Sequence, residues 1–367
     1  FRLNQATDLS NATVSLGSGL TMGHYTQGSA SAFSATTKIG ALTGVSGSTL
    51  ASGIYNIGYN SKDATFDGTL GSVTINKYGD GIWTLTGTAN TCSSVTVNAG
   101  TLKLTNTTGT AVGSGVVSVK DGGTLSLSKC TATGMGSVIV YSGGVVQSPI
   151  ASTINSRITL KSNAMLTTGT TVIPVTFSVG SISAESGSTI HFDLRSISRY
   201  DKLLTTNGNV TFTTGSILKV EYYQNYVPVV GDAFVLISPA PKGTEPMYIF
   251  QDLPAGFGWD TSTFMTDGTI RVCAQGVGIN QVAWANEVKA YPTPAESELY
   301  VTLPEAALGQ EGITLTITNM EGKTLLHQPA ESGSATQTMA VSSLTTGNYI
   351  LIIETPQGKA IQRIVKK

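Results

Sequence analysis

NAGTLKLTN at 98–106 decides the fold, because the phrase returns. It comes back as DGGTLSLSK at 121–129 and YSGGVVQSP at 141–149. Looser echoes follow: KSNAMLTTG at 161–169, ESGSTIHFDL at 185–194 and TTGSILKVEY at 213–222. From Gly100 to Gly123, Gly144 and Ala164 the steps are 23, 21 and 20 residues. Each phrase is a turn containing Gly or Asn, then a short strand with an apolar side chain at every second position. Leu102 and Leu104 alternate this way in the first phrase, and Leu125 and Leu127 in the second. Further strand-like runs, SSVTVNA and SGVVSVK, lie between them.

A period of about 20 to 24 residues holding several strands is what a solenoid coil requires. Each coil makes one circuit and stacks on the last at about 4.8 Å. Its Leu, Val and Ile side chains enter a shared interior, and its Thr, Ser and Lys side chains face out. The expected fold is all-β, a right-handed parallel β-helix followed by a small antiparallel immunoglobulin-like sandwich. At roughly 22 residues per coil, the first part makes about a dozen coils and a rod on the order of 60 Å. A bare coil cannot close its own end. From about 182 to 276 the strands lengthen and aromatic residues gather, as a cap needs.

Composition agrees. Only 12% of residues are charged, against about 25% in ordinary globular proteins. Yet 40% are hydrophobic, so the chain can bury a core and cover its outside with hydroxyls and amides. Thr and Val suit strands; Gly (42 residues) and Asn suit tight turns. The net charge of −1 and the lack of a basic stripe leave nothing to recruit nucleic acid or an anionic membrane. No apolar run is long enough for a transmembrane helix. The chain opens at Phe1 already in strand rhythm, which suggests a piece of a larger protein. The lack of a leader then says nothing about compartment. Cys92 and Cys130 lie about two periods apart; they read more simply as small buried residues than as a disulfide.

Little chemistry is written into the sequence. A polysaccharide lyase needs a base and acidic Ca²⁺ ligands, and a hydrolase needs two nearby carboxylates. From 81 to 184 the only acidic residue is Asp121. The group Lys62, Asp63 and Asp67 reads as a solvated turn. His24, His191 and His327 are scattered. His191, Asp193 and Arg195 share one face of a strand, opposite Ile190, Phe192 and Leu194, and read as its solvated side. No nucleophile triad, phosphate loop or dinucleotide motif occurs. No enzymatic activity, catalytic residue, cofactor or metal site is expected. The candidates for stacking on sugar rings are Tyr55, Tyr59, Tyr78, Trp83, Tyr222, Tyr223 and Tyr226, with core packing or capping as the competing explanation for each.

KYGDGIWTLTGTANTCSSVTVNAGTLKLTN at 77–106 resembles the autotransporter-associated β-strand repeat through Gly81, Trp83, Leu85, Gly87, Val97, Gly100, Leu102 and Leu104. Tyr200-Asp201-Lys202-Leu203 followed by Val229-Val230-Gly231-Asp232 resembles the end of such passengers. No outer-membrane barrel is expected to follow, so the resemblance is expected to stop short of a true autotransporter.

A Gly- and Pro-marked linker is expected at 277–290 and a new domain at 291–367. Six or seven alternating strands fill it, with turns at Met320–Lys323 and Pro356–Lys359. This segment resembles the C-terminal sorting domain of the type IX secretion system of Bacteroidetes. The resemblance rests on Tyr291, Pro292, Pro294 and Ala295; on Gly322 in ITNMEGK; on Gly347 and Tyr349; and on the basic end Lys366-Lys367. The family usually has Asn where Thr293 stands. The resemblance implies export across the outer membrane by the type IX machinery and a secreted or cell-surface location. The function expected overall is a structural or adhesin-like protein that meets glycans or a host surface. The alternatives are a non-catalytic part of a polysaccharide-degrading enzyme and a glycan-binding module.

Overall fold

The computed structural model describes residues 2–3, 5–24, 35–131, 133–169, 173–223, 225–274, 284–308, 312–355 and 358–367. It is all-β, with 55% strand and 3% helix. The chain divides into two compact units, Phe1–Ala274 and Gln275–Lys367.

In the first unit the strands pair in parallel with partners about one period away. One row runs Gly53–Ile57, Val73–Lys77, Ser94–Val97, Val116–Val119, Val138–Val140, Arg157–Leu160, Ser181–Ala184 and Val210–Phe212. A second runs Ala64–Phe66, Ile82–Leu85, Gly100–Leu104, Gly123–Ser128, Val145–Ile150, Met165–Thr168, Thr189–Ser196, Ile217–Tyr222 and Met247–Phe250. Shorter strands form further rows, such as Ser152–Thr153 beside Thr176–Val179, Lys202–Thr205 and Ile237–Ser238.

The register follows the repeated phrases. Gly100 stands opposite Gly123 and Leu102 opposite Leu125. The second row thus aligns a column of side chains: Ala64, Trp83, Leu102, Leu125, Val146, Leu166, Ile190, Leu218 and Tyr248. From Trp83 to Leu218 each member is buried. Tyr55, Ile75, Val95, Val117, Val138, Ile158, Ile182 and Val210 form a matching buried column in the first row. One strand cannot hide its apolar side alone, so this like-on-like stacking supplies the hydrophobic stabilisation.

The repeated glycines answer to close approach. Gly79 and Gly100 have φ of 63° and 61°. A Cβ on Gly79 would lie 2.0 Å from the carbonyl oxygen of Gly58, and one on Gly100 2.3 Å from that of Gly79. Beside these turns, Lys77 stands in the column between Ile57 and Val97, almost wholly buried. Its stem packs with the apolar residues, and its ammonium donates to the carbonyls of Tyr78 (2.7 Å), Gly79 (2.8 Å) and Ala99 (3.2 Å). Cys92 and Cys130 are buried, and among the described residues no cysteine forms a disulfide.

After about residue 200 aromatic packing joins the stack, whose second row continues to Phe250. A three-stranded antiparallel sheet forms from Ala233–Val235, Phe257–Asp260 and Thr269–Ala274. Buried Phe234 meets the rings of Tyr200, Tyr226 and Trp259, and buried Phe264 meets Phe212 and Tyr248.

Among its described residues the second unit holds two antiparallel sheets. One consists of Lys289–Tyr291, Glu298–Thr302 and Thr336–Ala340; the other of Thr324–Pro329, Thr314–Thr318, Gly347–Thr355 and Gly358–Lys366. Leu299, Val301, Leu315, Ile317, Met339, Leu351, Ile353 and Ile364 share one core. Of the expected linker at 277–290, residues 277–283 lie outside the described residues. Trp284, Ala285 and Val288 belong to this second core, because the sheet needs apolar cover beside its edge. Pro356 and Gln357 of the expected turn also lie outside the described residues.

Candidate functional site

The aromatic candidates separate by strand parity. Tyr55 shares parity with Ile57, and Trp83 with Leu85, so both rings point inward and are buried. Neither can offer a face to a sugar, which corrects that expectation for these two residues. Tyr59 and Tyr78 lie in successive turns, stacked with centroids 5.0 Å apart, and Tyr59 is 38% exposed. The ammonium of Lys38 lies 5.8 Å from the Tyr59 ring centre. Tyr222 and Tyr226 pack partly against the core, and the hydroxyls of the three cap tyrosines are engaged. Tyr222 donates to the carbonyl of Asp252 (2.6 Å), Tyr223 to Glu221 (2.9 Å) and Tyr226 to Asp232 (2.5 Å).

The face carrying His191, Asp193 and Arg195 is not solvated. Asp193 and Arg195 are buried, and so is Asp201. The chain turns back after Ser196 so that Arg199–Tyr200 pairs antiparallel with the same strand, which brings Asp201 over Arg195. Arg195 donates to Asp193 (3.0 Å) and Asp201 (3.2 Å), while Asp201 also accepts from the backbone amides of Val175 and Asp193. Burial pushes the Asp193 carboxyl up and that of Asp201 up to about 7, against the pull of the guanidinium.

Parallel pairing sets Asp193 beside Glu221 and His191 beside Lys219. His191 Nε2 lies 2.9 Å from Glu221 Oε2 and 3.3 Å from Asp193 Oδ1. Burial alone would raise the Glu221 carboxyl, but hydrogen bonds from Lys219 and Tyr223 hold it below its ordinary value. Among the described residues, His191, Asp193 and Glu221 form the one group of three placed to share a metal ion. Sequence reading missed Glu221. The signal was available, because the echoed phrases ESGSTIHFDL and TTGSILKVEY place Asp193 and Glu221 at the same position.

In the second unit, separated motifs converge. Tyr291 ends one strand, and its ring lies 5.9 Å from that of Tyr300. The backbone amide of buried Ala295 donates to the carbonyl of Val365 (2.8 Å), and that of Lys367 donates to the carbonyl of Ala295 (2.9 Å). Ala295 and Lys366 form a parallel bridge, and Lys366 also pairs with Gly347. Lys367 Nζ reaches Glu296 (3.1 Å). Pro292, Pro294, Glu298, Tyr300 and Lys367 line an open groove of about 550 Å³. Thr318 pairs with Ile350, so the turn carrying Gly322 leaves its sheet at the end where Gly347 and Lys366 stand.

Residues 289–367 match the secretion system C-terminal sorting domain family. The protein is secreted or anchored at the cell surface, as the type IX sorting domain marks proteins in Bacteroidetes, and the domain implies interaction with the type IX secretion machinery. A comparison with the curated proteins returned no match.

Two details show how the sorting domain fixes its loops. Asn319 Oδ1 accepts from the amides of Glu321 (3.1 Å) and Lys323 (2.9 Å), and Gly322 takes the left-handed φ of 84° that closes the turn. Buried Tyr349 donates its hydroxyl to the carbonyl of Thr345 (2.7 Å), tying the loop before Gly347 to the core.

Proposed function

We propose that this protein is a non-enzymatic structural or adhesin-like element. Its parallel rows close into a right-handed β-helix of the autotransporter-associated kind, delivered to the surface by its sorting domain. The observation that carries the reading is the pair of in-register columns, buried from Trp83 to Leu218 and from Tyr55 to Val210. A stack of this kind spends its side chains on length and cohesion. Between 81 and 184 it carries a single carboxylate, Asp121, too few for lyase or hydrolase chemistry along that stretch. A non-catalytic extension of a polysaccharide-degrading enzyme would have the same character.

The stacked pair Tyr59 and Tyr78, with Lys38 close to one ring, favours glycan binding as a second reading. A glycan array on the purified chain, with cleavage products assayed in the same wells, tests both. Binding without cleavage that falls in Tyr59→Ala supports an adhesin using this pair. Silence in both assays supports a passive stalk. Cleavage of any glycan overturns the proposal.

A further inference from the structure

We propose that His191, Asp193 and Glu221 bind a first-row divalent cation, zinc above all, bridging two successive strands of the stack. The register brings the donors together: His191 and Asp193 lie on one face of Thr189–Ser196, and Glu221 is the direct partner of Asp193 on Ile217–Tyr222. Their ligand atoms lie within 4.8 Å of one another, and Nε2 sits 2.9 Å from Glu221 Oε2 and 3.3 Å from Asp193 Oδ1. Tetrahedral zinc bonds of about 2.0–2.2 Å separate neighbouring ligand atoms by about 3.4 Å, so small side-chain movements complete the cage.

A second observation points to a ligand. Asp193 Oδ1 and His191 Nε2 are both buried without a hydrogen-bond partner, although they face each other; the Asp193 side chain is only 5% exposed. A proton on Nε2 does not satisfy both carboxylates, since neither contact has hydrogen-bond geometry. A cation among the three atoms satisfies all of them.

The outer groups fix the two carboxylates through their other oxygens, and Glu221 Oε2, which also accepts from Tyr223, keeps a second lone pair for the ion. Arg195 holds the other oxygen of Asp193 (3.0 Å), Lys219 holds the other oxygen of Glu221 (3.1 Å), and Tyr223 donates to Glu221 Oε2 (2.9 Å). Thr167 Oγ1 lies 3.4 Å from His191 Nδ1, so a proton on Nδ1 leaves the Nε2 lone pair facing the carboxylates. One imidazole with two carboxylates favours zinc or manganese over calcium or magnesium, which prefer all-oxygen shells. Glu221 keeps 29% of its side chain exposed, which gives an ion a way in.

The test is calorimetric titration of the EDTA-stripped full chain with ZnCl₂, with MgCl₂ and CaCl₂ as comparison arms. One zinc per chain is expected, with affinity falling at least tenfold in Glu221→Gln and in His191→Gln but not in His327→Gln, and with a rise in Tm on adding zinc. Co²⁺ loading of the unmodified chain gives a readout independent of variant folding: visible bands without a thiolate charge-transfer band are expected. No zinc binding, binding unchanged by Glu221→Gln and His191→Gln, or a thiolate band pointing to a cysteine site would each overturn the proposal.

Discussion

Trp83 donates its indole N–H to the carbonyl of Leu42 at 3.0 Å, across 41 residues of sequence. The same ring fills the buried column between Ala64 and Leu102 and packs near Phe66. Trp83→Ala should cost about 3–5 kcal/mol, because it removes a large buried side chain and strands a carbonyl. Trp83→Leu should recover part of that, since leucine fills the column at Leu102 and Leu125. Urea unfolding followed by circular dichroism measures both; a loss under about 1 kcal/mol for the alanine variant would contradict this packing.

Asn90 binds three successive levels of the stack with one side chain. Its Oδ1 accepts from the amide of Leu70 (2.8 Å), and its Nδ2 donates to the carbonyls of Gly87 (3.0 Å) and Ala111 (2.7 Å). The residue is buried, so water cannot replace it. Asn90→Ala should cost about 3 kcal/mol through unsatisfied backbone groups. Asn90→Asp should cost at least as much at neutral pH, because it puts a charged acceptor against two carbonyls. Equal stability of Asn90→Asp and the parent chain would show that these bonds carry no weight.

The repeat was legible because two independent signals, turn glycines and period-2 leucines, keep the same phase as the strand register. The parity of Tyr55 with Ile57 and of Trp83 with Leu85 held the information that both rings are inside, and attention to aromatics as sugar platforms obscured it. The burial of Asp193 and Arg195 was not legible locally. Alternation identifies the second face of a strand but not what lies over it, and here a reversal at Arg199–Tyr200 brings in Asp201. Lys77 departs from the expectation that the lysines of a coil face out: its stem is apolar and its ammonium meets turn carbonyls. The start of the second core at Trp284 was hidden because Gly and Pro around it read as linker.

Lys77 should give the stability of the protein a measurable pH signature. Burial pushes its ammonium down to about 8 from an ordinary 10.5. Between those values the unfolded chain holds a proton that the folded chain has released. Stability therefore rises with pH across that window, relative to a chain lacking the group. Comparing urea midpoints of the parent and Lys77→Met at pH 7 and pH 10 isolates the effect, since other groups cancel in the difference. The parent should gain on the variant at pH 10; a gain in the other direction would mean that the three carbonyls hold the charged form.

In the sorting domain, the last two residues join the proline-rich segment to the sheet without entering the core. Lys366 bridges Ala295 and pairs with Gly347, while Lys367 gives its amide to Ala295 and its ammonium to Glu296. Ile364, just before them, is the last buried residue of the chain. Deleting Lys366 and Lys367 should therefore leave the core intact and cost only about 1–2 kcal/mol, the worth of one or two hydrogen bonds. The segment Tyr291–Ala295 would keep its bonds to Val365 but lose the bond from Lys367 and the bridge to Lys366, and its cleavage by protease should rise while the sheets persist. If the secretion machinery reads this joined end, the truncated protein should fold yet remain inside the cell. Fractionation of cells expressing the parent, the truncation and Tyr349→Phe separates the cases. Tyr349→Phe gives up the hydroxyl's two contacts with Thr345, to its carbonyl and its Oγ1, at a similar cost and leaves the joined end untouched. Normal export of the truncation would show that recognition lies elsewhere on the domain. Equal loss of export in both variants would show that stability, rather than the joined end, governs secretion.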